Sequence, residues 1–256
     1  MFSFLFSHKK NSPLKNFIIL LCFLFINLLS VWLLGHTPWL ATIPILLSGI
    51  LALYASKSKK LLIVYYTFAL IGSLHEMFFI SMNVWTYDKT SFLSIPLYLP
   101  FVWGNISILC ISLYKGIFTL KIFQSLPHNP PKSSTIFLAF IFAFIFSILS
   151  IYFFWSEPSL VFILFILIDI FLVFIIRSAP FAIVGINALG CGALGDLVAV
   201  NISRWSYSVE NTIFGVPSYI FIGWDIVGLL MVSLYLALEA FEKEHAQKKS
   251  RKAISH

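Results

Sequence analysis

Glu76 and Asp196 are the residues of this chain best suited to chemistry. They lie 120 positions apart, and each is followed eleven positions later by a tyrosine, Tyr87 or Tyr207. A carboxylic acid beside a phenol is equipment for general acid catalysis, the acid giving a proton and the hydroxyl donating a hydrogen bond. Asp225, directly after Trp224, adds a third acid near the second set. A second-half pocket of Asp196, Asp225, Tyr207 and Arg204 would bring two carboxyls together, one supplying a proton beside an anionic partner. The first half offers Glu76, His75, Asn83, Tyr87, Asp88 and Asn105. His75 adjoins Glu76 but points roughly 100° away on a helix, so it is expected to be packed rather than catalytic.

The acids keep aromatic company that recurs. NVWTYDKTSFLSIPLYLPFVW from Asn83 and SRWSYSVENTIFGVPSYIFIGW from Ser203 match Trp85 with Trp205, Pro96 with Pro217, Tyr98 with Tyr219 and Trp103 with Trp224. Pro38 matches Pro158, Gly72 matches Gly192, and Tyr114 matches Tyr235. Self-similarity at a fixed period marks an internal repeat. Glu76, Ile80 and Asn83 are expected on one helical face, with Asp196, Val200 and Ser203 on its counterpart. Gly72 and Gly192 lie one turn earlier, where a small residue lets another helix approach, so each face reads as a pocket wall. The expected substrate contacts are Trp85, Asn83, Tyr98, Trp103, Trp205, Tyr219 and Trp224. A plainer reading of the aromatics stands beside this one, because Trp and Tyr collect where lipid meets water.

The elements that must hold these residues are helices in lipid. The chain is 60% hydrophobic and 11% charged, against about 25% charged residues in an ordinary soluble domain. Apolar windows fall near Phe17–Leu34, Trp39–Ala55, Leu61–Met82, Leu93–Leu113, Thr135–Trp155, Leu160–Ile176, Phe181–Ile202 and Phe214–Leu238. Each is long enough to cross about 30 Å of hydrocarbon. The runs do not alternate apolar and polar, which excludes a β-barrel and leaves helices that satisfy their own backbone. The first window is longer than a signal-peptide core and is expected to remain as a helix.

With eight spans, fifteen basic residues fall on one side and only Lys89 and Arg204 on the other. That asymmetry predicts cytoplasmic termini, in a bacterial inner membrane. The expected fold is all-α: eight transmembrane helices in two tandem parallel four-helix repeats, residues 1–120 and 135–240. A cytoplasmic linker, 121–134, joins them through PHNPPKSS, and a charged cytoplasmic tail, 241–256, follows. Four spans is an even number, so both repeats enter the membrane in the same sense, related by an axis along its normal. The site would lie inside each unit or in the cleft between them.

Several function classes are excluded. The basic residues sit in connections rather than in a stripe with aromatics, so nucleic acid is not an expected partner. Cys22, Cys110 and Cys191 lie inside apolar runs without pairing or metal-ligand spacing. There is no HExxH, GxxxxGK[ST] or GxSxG, and neither a metal nor another cofactor is expected. The expected partners are membrane lipid and a hydrophobic small molecule.

An acid in one span, an aromatic-x-Tyr pair in the next loop, then GVP or SIP leading to a Trp resembles the integral-membrane carotenoid biosynthesis proteins. The likeness is chiefly to the carotenoid hydratases and more distantly to the membrane-bound lycopene cyclases. It rests on Glu76, Trp85, Tyr87, Ile95, Pro96 and Trp103, then on Asp196, Trp205, Tyr207, Gly215, Val216, Pro217 and Trp224. SMNVW and NISRW stand where that family has a glycine-rich segment, and LYLP and SYIF where the cyclases have paired glutamates. The resemblance implies an acid that protonates a carbon–carbon double bond of an isoprenoid, followed by water addition or ring closure.

Three functions remain open on the sequence. One is acid-assisted chemistry on a polyisoprenoid or other lipid in a pocket on the outer-leaflet side. Another is a small proton- or cation-coupled transporter, with Asp169, midway along the sixth span, on the path beside Asp196 and Asp225. The third is a structural or assembly subunit, in which such polar groups only join helices, at about 0.6 kcal/mol per hydrogen bond.

Overall fold

The computed structural model describes residues 13–91, 93–117, 130–209 and 212–254. Among these the chain is all-helical apart from four very short strands. The helices are α1 (Pro13–Leu34), α2 (Pro38–Ser56), α3 (Lys59–Ser81), α4 (Leu99–Ile117), α5 (Ser133–Phe154), α6 (Pro158–Ile176), α7 (Ala179–Asn201) and α8 (Ser218–Ile254). Strand β1 (Trp85–Tyr87) follows α3, while β2 (Trp205–Tyr207), β3 (Thr212–Ile213) and β4 (Val216–Pro217) lie between α7 and α8. Lys9, Lys10, Lys121 and the linker as far as residue 129 lie outside the described residues.

Local sequence explains where the helices start and stop. Proline opens α2 and α6 at the first turn, where its missing N–H costs nothing. Both helices end on a left-handed residue, Lys57 or Arg177, whose N–H returns to the carbonyl of Leu53 or Val173. The side chain of Ser58 then caps α3 by accepting from the Leu61 N–H. Helix α4 begins at Leu99, later than the apolar window from Leu93, because Leu93 and Ser94 take positive φ and break the run.

Among the described residues five helices are long and apolar enough to cross a membrane: α3, α5, α6, α7 and the Ser218–Ser250 part of α8. Large apolar side chains point away from the protein along them; Phe174, Leu138 and Ile186 are each about two-thirds exposed. Water would not tolerate so much contiguous apolar surface, and lipid would. The chain therefore has the character of an integral membrane protein.

Helix α4 packs against α1, α2 and α3, and α8 packs against α5, α6 and α7. These two central helices also meet each other. The tail expected from residue 241 is a helical continuation of α8. Glu242 pairs with Lys60 at 2.7 Å, and Glu244 accepts from the Ser133 N–H at 3.0 Å and its hydroxyl at 2.9 Å. Those contacts tie the extension to the start of α3 and cap α5.

Candidate functional site

Helix α3 stops abruptly, and the stop is what brings its acid to a binding site. Asn83 adopts φ of +58°. Its N–H donates to the Ile80 carbonyl, and the Val84 N–H donates to that of Phe79. This pair of bonds is a Schellman closure, which Asn accepts better than most residues. The chain turns back over the helix end, so β1 runs above Glu76. Helix α7 ends alike: Ser203 has φ of +56°, Ser203 N–H donates to Val200 and Arg204 N–H donates to Ala199. The expected helical faces through Asn83 and Ser203 therefore end before those residues, and both are exposed.

Two matching acid clusters result. Glu76 is buried, and its Oε2 accepts from the Trp85 indole N–H and the Tyr87 hydroxyl, each at 2.8 Å. Asp196 is buried too; Oδ1 accepts from the Tyr207 hydroxyl at 2.9 Å, and Oδ2 accepts from the Trp224 indole. The clusters differ in one respect. Both Asp196 oxygens accept formed hydrogen bonds, whereas both formed bonds to Glu76 fall on Oε2, with the Trp103 indole also interacting with that carboxyl. Burial and the adjoining carboxylate hold the Tyr87 and Tyr207 hydroxyls well above the usual tyrosine range, so both remain donors.

Strands β1 and β2 join the clusters. They pair antiparallel, with Trp85 opposite Tyr207, Thr86 opposite Ser206 and Tyr87 opposite Trp205. Each aromatic pair packs edge to face, at 6.0 Å for Trp85–Tyr207 and 5.5 Å for Tyr87–Trp205. Below them Trp103 of α4 and Trp224 of α8 stack at 5.7 Å. Each indole packs against a glycine. A Cβ on Gly72 would come within 2.5 Å of the Trp103 ring, and one on Gly192 would overlap the Trp224 ring.

Between the clusters lies a cavity of about 250 Å³. Glu76, Tyr87, Asp196, Tyr207, Trp85, Trp103, Trp205 and Trp224 all line it. His75 lines it as well, its ring 4.7 Å from Phe79 and its Nδ1 without a partner among the described residues. Further walls come from Asn27 and Leu28 of α1 and from Phe144 and Ser147 of α5. Leu28 and Phe144 carry no sequence signal, because an apolar residue facing a cavity and one facing lipid look alike; Asn27 and Ser147, polar groups inside apolar runs, do carry one.

Other candidates lie elsewhere. Tyr98 and Tyr219 are buried but do not line the cavity, and the Tyr219 hydroxyl has no partner among the described residues. Asn83 is exposed outside it. Asp225 sits against Gly185, where a Cβ would collide with its carboxyl, and it interacts with Asp169 rather than Asp196. Both oxygens of Asp169 and Oδ1 of Asp225 lack a donor among the described residues. Arg204 is buried at the loop end, bonded to His36 and to the Trp32 carbonyl at 2.9 Å, and its own carbonyl accepts from the Asp88 N–H. Asn105 is consumed in packing, donating to Asn27 at 2.8 Å and to the Ile45 carbonyl at 2.9 Å. Among the described residues no group of three or more His, Cys, Asp or Glu side chains could hold a metal.

No family model matches the chain, and no curated protein matches it. A solved structure does: the crystal structure of a cross-linked trimer of an MvINS variant, with a TM-score of 0.52 and 16% sequence identity. The match covers 70% of this chain and 94% of that one. At such identity the likeness concerns fold alone.

Proposed function

We propose that this protein is a membrane enzyme that takes the end of a polyisoprenoid or similar lipid chain into the cavity and protonates it from Glu76. The observation that carries this reading is a buried carboxyl held by Trp85 and Tyr87 through one oxygen, at the wall of an apolar aromatic cavity. Glu76 Oε1 would deliver its proton to one carbon of a double bond, the π electrons forming the new C–H bond and leaving a carbocation on the neighbouring carbon. Water addition, or attack by a second double bond, would follow, with one proton returned to the carboxylate. The ring faces of the surrounding tryptophans and tyrosines would stabilise the cation. Asp196, with both oxygens occupied, would position Trp224 and Tyr207.

The architecture proposed around this site is eight transmembrane helices in two parallel four-helix repeats, with both termini cytoplasmic and the cavity toward the outer leaflet. Two observations support it. Left-handed caps recur 120 residues apart, at Lys57 and Arg177 and at Asn83 and Ser203, and Thr86 faces its own counterpart Ser206 across the paired strands. A bacterial inner membrane suits the charge asymmetry. The carrier reading has one observation in its favour, the Asp169–Asp225 pair without donors, but neither acid lines the cavity.

Lipid mass spectrometry tests the reading. A deletion strain should lose or accumulate a prenyl lipid, intact protein should restore it, and Glu76→Gln should not. Identical lipids in all strains would end the enzyme hypothesis. Reporter fusions at the two termini test the topology.

A further inference from the structure

The cavity has an electrostatic character that does not depend on any reaction. It is walled by two carboxyls, and no lysine or arginine lines it among the described residues. Arg204, the basic side chain that approaches the loop end, is occupied by His36 and the Trp32 carbonyl and lies outside the lining. Asp196 accepts on both oxygens from Tyr207 and Trp224, while the formed bonds to Glu76 fall on Oε2 alone, so Glu76 is the carboxyl with more acceptor capacity left. Rings surround it. Because the Trp85–Tyr207 and Tyr87–Trp205 pairs are T-shaped, one ring in each pair keeps both faces clear of its partner. A carboxylate without a cationic partner is costly away from water, and a ring face attracts positive charge. What such a site lacks is a cation, and what its apolar walls accept is a hydrocarbon chain.

We infer that the cavity is a binding site for amphiphilic cations, a single ammonium or quaternary ammonium group on an apolar chain, with Glu76 as counter-ion and the aromatic rings as cage. At about 250 Å³, the cavity falls just under the usual range of roughly 300–1,000 Å³ for small-molecule sites. It would therefore hold the cationic head and the first part of the chain, with the remainder continuing between helices. Cation binding would use the same cavity as the proposed enzyme but does not rest on its chemistry. A stable cation would imitate the carbocation that follows proton transfer.

The test uses the full-length protein in nanodiscs, with decyltrimethylammonium and uncharged decanol as probes and tryptophan fluorescence as readout. The cation should bind at least about tenfold more tightly than decanol. Glu76→Gln, whose amide oxygen can still accept from Trp85 and Tyr87, should abolish that preference, and Asp196→Asn should retain it. Equal binding of cation and decanol by the wild-type protein overturns the inference. A preference that survives Glu76→Gln, or is lost equally in Asp196→Asn, overturns Glu76 as counter-ion. Should Glu76→Gln not fold, wild-type protein decides the point through carbodiimide modification of Glu76, read by peptide mass spectrometry. Protection by the cation and not by decanol supports the site, and equal protection by both removes it. Saturable cation binding with unchanged cellular lipids would discard the reaction and keep this inference; the reverse result would do the opposite.

Discussion

Gly192→Ala and Gly72→Ala add the same methyl group at matching positions, yet they should not cost the same. In an exposed helix interior Gly→Ala normally gains up to about 1 kcal/mol. Here each new Cβ meets an indole ring, and overpacking of this kind costs roughly 1–3 kcal/mol. The difference lies in how freely each ring can move. The Trp224 indole donates to Asp196 and stacks on Trp103, so moving it breaks a hydrogen bond to a buried carboxyl. Such bonds contribute about 1.5–3 kcal/mol. The Trp103 indole N–H makes no formed hydrogen bond among the described residues, so its ring yields by losing packing and a weaker approach to the Glu76 carboxyl. Taken together, Gly192→Ala should lose roughly 2–5 kcal/mol and Gly72→Ala roughly 0–2 kcal/mol. Gly190, with nothing within 4 Å of a Cβ, is the control and should be neutral or slightly stabilised as alanine. Reversible unfolding in mixed micelles measures all three. If Gly72→Ala costs as much as Gly192→Ala, or Gly190→Ala as much as either, the account of the tethered ring is wrong.

Further outcomes follow from the same contacts. Tyr87→Phe and Tyr207→Phe each remove a hydrogen bond to a buried carboxyl and should lower stability by about 1–3 kcal/mol, read in the same micelle assay. The folded state raises both hydroxyls above the ordinary tyrosine value of 10.0. Their stabilisation is thus complete below pH 10 and is lost as pH climbs toward their folded values; the double Phe variant should show a weaker alkaline loss of stability. Asp169→Asn replaces one acid of the interacting Asp169–Asp225 pair with an amide that donates to Asp225 without a second carboxyl's charge, and should stabilise the protein by about 1–2 kcal/mol; marked destabilisation would show that the two acids already share a proton. Thr86→Cys with Ser206→Cys, in a background without the native cysteines, should oxidise to a disulfide, since these hydroxyls lie 3.1 Å apart. Failure to cross-link on a gel would contradict the β1–β2 pairing.

The amino-acid sequence alone determined that the chain is helical and lipid-facing, and it placed the helices closely. Long apolar runs, opening prolines and the backbone's need to satisfy itself in lipid are local facts. It also marked Glu76, Asp196, their tyrosines and four tryptophans, because each repeats at a fixed spacing and a carboxyl is rare in such surroundings. Tertiary structure decided which of these groups touch. Schellman closures at Asn83 and Ser203, not helical periodicity, fold Trp85, Tyr87 and Tyr207 back onto the acids. Matching spacings could not reveal that the formed indole bond to Glu76 comes from the loop residue Trp85 while that to Asp196 comes from the helix residue Trp224. Nor could it show that Asp225 faces Asp169. Side-chain partners are chosen by distances across helix interfaces of a few ångströms, and residue spacing along one helix carries no information about them.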